Sequence, residues 1–540
     1  MKISHSVLLA SMLAALVTMA AAPIFFPVFG AGPKGTIYQI NVPMQGQLVG
    51  NPAYFCWVPE SVTTFRCIIV HQHGCTRERD ARQMMYDVQW TTLAKKWNAV
   101  FMACSLTGDQ AHCPTWDQQQ NGSGNAYLAG LDSLAKRINH PEIKTIPWAL
   151  WGHSGGAFWV TGIMGVYPER IAVSVVQACG YDESNVPGAL KIPTLHHNGR
   201  KDGCYNDAIF GSARAKGALW AHAINPYPMW VNGGICPTSG NPNNLCWDTI
   251  IYGHAPHDLR MIAIPWIDIG LAARLPDQAG SAQLKDMDTT NAWLGDTATR
   301  QIASAATFTG NKLKACWFPN QYCAQKWKEY MATGTLKDST PPPAPYNLIG
   351  TYSNRQIVLK WDADADLETG IKTFTIYRNG SLLQTVQWPN APTTLFTAEK
   401  GYQRWDDGDQ PNPFPAPNMT FTDNNNLSDT GTYTYEVSTV NWSGVAGPKS
   451  APIKLSRGLV TGAKAFSHPT AATALPHTSI SLCSIMGKQA LNLSPGTVDV
   501  YDIRGRFIKT LEINRETQRR ADRLLGVSSE KVILVRNRAK

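Results

Sequence analysis

Ser154 stands inside Gly152-His153-Ser154-Gly155-Gly156, between the apolar run Ile146–Trp151 and GAFWVTGIMGVY, which begins like a helix. A serine at this spacing is lifted out of a sharp strand-to-helix turn, and its hydroxyl is presented for nucleophilic attack. The residues around it must be small because the backbone passes close to itself, a demand that Gly152, Gly155 and Gly156 meet. Glycine and serine are common enough that the pentapeptide alone would describe an ordinary turn. The strand before it and the helix after it give the match its weight.

A serine is a poor nucleophile unaided, so the chemistry requires a base, an acid to orient that base, and donors for the oxyanion. When the serine comes first, the acid and then the histidine follow along the chain. Asp202 lies in NGRKDG, directly after the apolar strand TLHH, with Asp207 and Asp182 as further candidates and a plain Asp-Gly turn as the alternative. The base is expected in GHAPHD, where His254 follows a strand and a glycine and His257 lies three residues on. Because the base must be neutral to accept the serine proton, activity is expected to fall below about pH 6. The amides of Gly155 and of Cys75, in the loop HQHGCT, are the expected oxyanion donors. His71 and His73 could instead share a face as metal ligands, but no third ligand is evident.

These residues need a scaffold that gathers them at one edge. Short apolar runs alternate with helical stretches from about Lys34 to Met331, the pattern of an α/β domain with a mainly parallel sheet. Strands are expected at 66–70, 100–104, 171–177, 194–197 and 249–252, with helices over 91–97, 129–138 and after Ser154. Trp116, Trp230 and Trp247 fall in loop-like segments and could offer a flat platform to a sugar or aromatic ring, with His153 beside the nucleophile. The stretch 225–247 reads as a lid or pocket wall.

The 540-residue chain is long enough for several domains. Its net charge of +9 is concentrated at the C-terminus, where Val498–Lys540 carries 11 Lys and Arg against 6 Asp and Glu. Without a basic stripe interleaved with aromatics, nucleic-acid binding is not expected. The uncharged run from Val7 to about Gly32 reads as an export signal, with Ala20-Ala21-Ala22 offering small residues for cleavage. Export would favour disulfides among the 12 cysteines. Cys104 with Cys113, Cys236 with Cys246, and Cys316 with Cys323 are candidate pairs by proximity.

HGCT, QWTTLAKKWNAVFMACS, Cys113-Pro114-Thr115-Trp116, GHSGGAFW, YPERIAVSV and GHAPHDLRMIAIPWIDIGLAARLP together resemble the secreted poly(3-hydroxybutyrate) depolymerases and the related feruloyl and acetylxylan esterases, which are α/β-hydrolases. The resemblance spans roughly Cys67–Pro276. It implies that Ser154 is the nucleophile and His254 the base, in an enzyme that cleaves carboxylic esters of polymers. His153 and Gly155 depart from the depolymerase pattern at the turn, so the mechanism carries over more firmly than the substrate does.

Ser339–Pro345 reads as a stiff proline-rich linker. Beyond it, IVLKW, FTIYRNGSLL and GTYTYEVSTVNWSG alternate as strands and resemble a fibronectin type III domain, with a spacer as its expected role. VDVYDIRGRFIKTLEI and KVILVRN form a β-rich unit resembling the C-terminal sorting domains of type IX secretion in Gram-negative bacteria. The interrupting NRETQRRADRLLGVSSE departs from that pattern, and a small carbohydrate-binding module is the competing reading.

The expected organisation is a signal peptide over 1–31, an α/β-hydrolase catalytic domain over 32–335 and a linker over 336–345. A fibronectin-like sandwich over 346–457, a linker over 458–480 and a sorting-like domain over 481–540 follow. The expected activity is a secreted serine esterase, extracellular or at the cell surface, acting on acetyl or feruloyl esters of plant cell-wall polysaccharide. Polyester depolymerase and a non-catalytic adhesin on the same fold are the alternatives. No metal or organic cofactor is implied, and the secretion machinery is the one protein partner suggested.

Overall fold

The computed structural model describes residues 34–60, 62–75, 81–82, 84–106, 116–117, 119–177, 180, 182–199, 207–225, 230–231, 234–235, 256–334, 336–387, 419–428, 430–456, 496–502, 507–513 and 533–537. Asp202, His254, Trp247, the strand expected at 249–252, the export-signal run and the pair Cys236 with Cys246 lie outside them. By internal contacts the chain falls into two units, residues 1–464 and 465–540.

An eight-stranded sheet organises the first unit. Its elements run β1 (Gly35–Asn41), β2 (Ala53–Pro59), β3 (Cys67–Gln72), α1 (Val88–Lys96), β4 (Ala99–Ser105), α2 (Ser123–Ile138), β5 (Trp148–His153), α3 (Gly155–Val166), β6 (Ile171–Gln177), β7 (Thr194–Gly199), α4 (Asp207–Ala215) and β8 (Trp220–Asn225). The spatial order is β1-β2-β4-β3-β5-β6-β7-β8. Only β2 runs antiparallel to its neighbours, and the pairs from β4 through β8 are all parallel. β3, β4, β5 and β6 are buried at every residue, as strands covered by helices on both faces must be.

The chain leaves β3 for β4 on one side and returns through α2 to β5 on the other. The direction of winding therefore reverses at β3. In open α/β sheets the crevice beyond the carboxyl ends at such a reversal is where ligands bind.

After a short hairpin, β9 (Trp230–Val231) and β10 (Gly234–Ile235), comes α5 (Pro256–Arg274), which lies against β6. A small antiparallel sheet of β11 (Trp293–Gly295), β12 (Ile302–Ser304) and β13 (Cys316–Phe318) follows. Then comes α6 (Gln321–Thr333), capped at its start by Asn320 Oδ1 accepting from the Cys323 amide at 3.0 Å. No described helix is long and apolar enough to cross a membrane.

The cysteine expectation needs correction. Cys104, Cys316 and Cys323 are free thiols, as are Cys56 and Cys67, and all five are buried. They pack as small apolar residues inside the sheet and under α6, where proximity in sequence does not bring sulfurs together. Burial pushes the Cys67 and Cys316 thiols up to about 12, which leaves them unreactive. Cys75 differs from them: it is disulfide-bonded, to a partner outside the described residues.

Two antiparallel sheets complete the first unit. One orders β14 (Tyr346–Ser353), β15 (Gln356–Asp362) and β18 (Thr420–Asp423). The other orders β17 (Ser381–Gln387), β16 (Thr373–Arg378), β19 (Thr432–Val440) and β20 (Ala446–Lys449), with β21 (Ile453–Ser456) also pairing with β19. They share one apolar core that includes Leu359, Trp361, Phe374, Ile376, Tyr435, Val437 and Leu455.

Val88 of α1 belongs to that same core. The segment expected as a stiff linker is tied to the module: the Asp338 amide donates to Ser443 Oγ at 3.2 Å and Asn441 Nδ2 donates to the Thr340 carbonyl at 3.1 Å. The second unit is a three-stranded antiparallel sheet ordered β23 (Phe507–Ile513), β22 (Gly496–Asp502), β24 (Ile533–Asn537).

Candidate functional site

β5 delivers Ser154 at the reversal of the sheet. Its backbone sits at φ 52, ψ −116, a region that a side chain-bearing residue rarely occupies. Such strain persists only where the surroundings enforce it, and it gathers at functional sites. Here the Ser154 amide donates to the Gln177 carbonyl of β6 at 2.9 Å, and the Ser154 carbonyl accepts from the amides of Ala157 at 2.9 Å and Phe158 at 3.2 Å. The turn is thereby pinned to the neighbouring strand on one side and to α3 on the other.

The flanking glycines have identifiable reasons. A Cβ on Gly152 would come within 2.3 Å of the Gly156 carbonyl oxygen, and one on Gly156 within 2.2 Å of the Gln72 carbonyl oxygen. Both obstacles are backbone, so any larger residue would force the turn open.

Gly155 faces the loop after β3. A Cβ there would lie 2.6 Å from Cys75 Sγ and 3.1 Å from the Cys75 amide nitrogen. The two expected oxyanion donors thus belong to segments in direct approach, at the amino end of α3. A helix start offers unpaired amides and a partial positive charge to a developing anion.

The histidines near β3 are fixed by packing. His71 is fully buried and stacks on Trp151, with centroids 4.2 Å apart, and meets Trp90 edge-on. His73 Nδ1 lies 2.5 Å from the Gly74 carbonyl oxygen. Gln72 Nε2 donates to the Cys104 carbonyl at 3.2 Å and ties the loop to β4.

Trp116 is only 1% exposed. Its indole lies edge-on to His73 at 6.0 Å, and its carbonyl accepts from Ser123 Oγ at 2.6 Å and Gln119 Nε2 at 2.8 Å. This tryptophan therefore packs behind the loop after β3 and has no face open to a substrate ring. His153, 2% exposed, is likewise interior. Trp230 begins β9.

Asp182 is exposed, and its Oδ1 accepts from the Ser184 amide at 2.8 Å, closing its own turn. Asp207 is the first residue of α4, and His257 is the second residue of α5. Glu183 sits beside Asp182 and Asp117, and burial followed by those two charges pushes its carboxyl up to about 7.

One charged pair escaped the sequence reading. Arg260, in α5, is fully buried, and its Nη1 donates to Asp87 Oδ2 at 2.7 Å. Asp87 is the N-cap of α1, and its Oδ1 accepts from the amides of Gln89 and Trp90, each at 2.9 Å. The signal available in the sequence was Asp87 ahead of an apolar-periodic stretch, which marks a helix start.

Among the described residues, Asp338, Asp366 and Glu368 are the group whose oxygens lie within 4.8 Å of one another. Asn441 Nδ2 donates to Asp338 and Asp366 at 2.8 and 3.0 Å, Thr369 Oγ1 donates to Asp338 at 2.6 Å, and the Tyr322 hydroxyl donates to Glu368. These bonds account for the cluster as a joint between the two-sheet module and the rest of the unit. Burial, with Asp338 adjoining, pushes the Asp366 carboxyl up to about 7.

No protein-family model matches the chain, and no curated protein matches it. Solved structures to which parts of the chain are similar include a thermostable esterase at 14% identity, covering 35% of this chain and 54% of that one, with a TM-score of 0.25. An S-formylglutathione hydrolase from Agrobacterium tumefaciens is 14% identical over 35% of this chain and 86% of its own, with a TM-score of 0.26. An acetyl xylan esterase from Aspergillus awamori is 14% identical over 32% and 77%, with a TM-score of 0.25. This chain thus spans about half the length of the first of these.

Proposed function

We propose that the first unit is an α/β-hydrolase acting as a serine hydrolase of carboxylic esters. The observation that carries the reading is Ser154 held at positive φ where the winding of the sheet reverses, with the Cys75 loop pressed against Gly155. A strained serine, two converging amide-bearing segments and a helix start are the parts that acyl transfer requires.

In this reading His254 removes the Ser154 proton as Oγ attacks the ester carbonyl carbon. The carbonyl oxygen gains negative charge and is held by the amides of Cys75 and Gly155. The imidazolium, oriented by Asp202, returns the proton to the departing alcohol oxygen and leaves an acyl-serine. A water molecule, deprotonated by the same imidazole, then attacks the acyl carbon; the acid departs and Ser154 recovers its proton.

The substrate we propose is an acetyl or feruloyl ester on plant cell-wall polysaccharide, as the sequence resemblance suggests. The same resemblance supports export, a fibronectin type III identity for the two-sheet module and a sorting role for the C-terminal unit.

Two measurements test the reading. A fluorophosphonate probe should label wild-type protein at Ser154, and a folded protein that resists labelling would favour a non-catalytic binding role. Release assays run in parallel on acetylated xylan, feruloylated arabinoxylan and poly(3-hydroxybutyrate) should favour the polysaccharides. Turnover of the polyester alone would reassign the substrate.

A further inference from the structure

We propose that Arg260 and Gln89 are positioning residues that lock the start of α5, the helix that begins two residues after His254 in the chain, to α1 and through α1 to the two-sheet module. The proposal rests on His254 serving as the base. His254 lies two residues before α5 begins, and Arg260 lies in that helix's opening turns.

α1 makes three sets of contacts. Its N-cap, Asp87, is fully buried and receives the Arg260 guanidinium, and the Arg260 guanidinium also reaches Gln89 Oε1 at 3.4 Å. Its first turn carries Trp90, packed edge-on against His71 of β3 and against Trp151, three residues before Ser154. Its outer face enters the two-sheet module. There Gln89 Nε2 donates to the carbonyls of Leu367 and Glu368 at 3.1 and 3.4 Å, and Thr92 Oγ1 accepts from the Ala365 amide at 2.9 Å. Lys95 pairs with Asp364 at 2.7 Å, and Val88 lies in the module's apolar core.

One short helix therefore touches the strand that delivers the nucleophile, the helix that follows the base, and the module expected to be a spacer. Buried charge-assisted hydrogen bonds are short and directional, so the Arg260–Asp87 pair fixes the axial position of α5 as well as its proximity. Catalysis by a base depends steeply on such placement, since misplacing a reacting group by about 1 Å can cost on the order of a hundredfold in rate. The module acts in this scheme as a clamp on α1, through hydrogen bonds that Gln89 and Thr92 make with the 365–368 loop.

The test uses full-length protein and two double variants. Asp87→Asn/Arg260→Gln keeps an N-cap acceptor while removing both charges. Gln89→Ala/Thr92→Val removes the side-chain bonds to the module, together with the 3.4 Å Arg260–Gln89 contact, and leaves the buried Arg260–Asp87 pair in place, so it serves should the first variant fail to fold. Hydrogen–deuterium exchange over the first two turns of α5 should rise about tenfold in each folded variant. With p-nitrophenyl acetate, kcat should fall about tenfold for the first variant and about threefold for the second, with KM within about twofold. Arg260→Lys, which retains a charged donor, should recover part of the loss.

Unchanged exchange in the Gln89/Thr92 variant overturns the proposal. So does faster exchange with kcat preserved, which would make the contact merely structural. A wild-type protein that neither turns over the ester nor labels at Ser154 defeats the esterase reading instead. The exchange measurement then still decides whether the module holds α5.

Discussion

The central strands of the parallel sheet and the strand β14 of the two-sheet module solve burial in opposite ways. β3, β4 and β6 are interior at every position, whereas β14 alternates, with Leu348, Gly350 and Tyr352 inside and Asn347, Ile349 and Thr351 turned outward or partly so. A strand covered on both faces has no flank to offer a ligand, so its chemistry is confined to the loops at its ends. An alternating strand keeps one face in water but gathers no cleft. The contrast explains why Ser154, the Cys75 loop and the reversal of winding coincide in the first region. The second region contributes through the helix it grips.

The contrast can be broken most severely at the serine. Ser154→Ala should lower kcat on p-nitrophenyl acetate by at least about a thousandfold while leaving the melting temperature nearly unchanged, because alanine keeps the Cβ and with it the backbone strain at that position. A modest loss of rate would move the chemistry elsewhere.

Truncation inside the sheet comes next. Ile69→Ala, at a fully buried position of β3, should cost about 2–5 kcal/mol in denaturant unfolding. Gly156→Ala, whose methyl would meet the Gln72 carbonyl oxygen at 2.2 Å, should cost about 1–3 kcal/mol and reduce activity disproportionately, because the turn must open to admit it.

Glu183 gives a pH signature. Its folded carboxyl titrates near 7, against an ordinary value of 4.5, so between those values the folded protein retains a proton that the unfolded chain releases. Stability should decline as pH rises through that window, and Glu183→Gln should flatten the decline in melts taken from pH 4 to pH 8. A slope unaltered by the substitution would place its origin elsewhere. Smallest of all, Ile349→Ala on the exposed side of β14, 46% exposed, should change stability by no more than about 0.5 kcal/mol. A large loss there would mean that the outward face is covered after all.

The same contrast governed what could be read from the residues alone. Continuous apolar runs marked the buried strands: IAVSVVQ occupies β6 over the expected span, and the expected 66–70 and 100–104 lie within a residue or two of β3 and β4. β1, β2 and β8 were not anticipated. In β8, WAHAIN mixes histidine and asparagine with small residues, and only its neighbour β7 and the cover supplied by β13 and α6 make it interior. The serine turn was legible because close backbone approach leaves glycine no substitute.

Arg260 was not legible, since an arginine in a helical run ordinarily faces water and only the distant Asp87 gives it reason to be buried. Trp116 misled because a proline-bearing, polar neighbourhood suggests a surface, whereas Ser123 and Gln119 fold it inward. The cysteines misled in the same way: Cys316 and Cys323 are close in sequence, yet one lies in β13 and the other in α6, and both are buried as free thiols.

Ser154 is held against its own conformational preference by its neighbours, among them Gln177, Ala157 and Phe158. A wound turn of that kind relaxes as soon as its supports loosen, and the hydroxyl withdraws before the sheet itself comes apart. On heating, the protein should consequently fall silent several degrees before it melts, and on prompt cooling it should regain its function without having to refold.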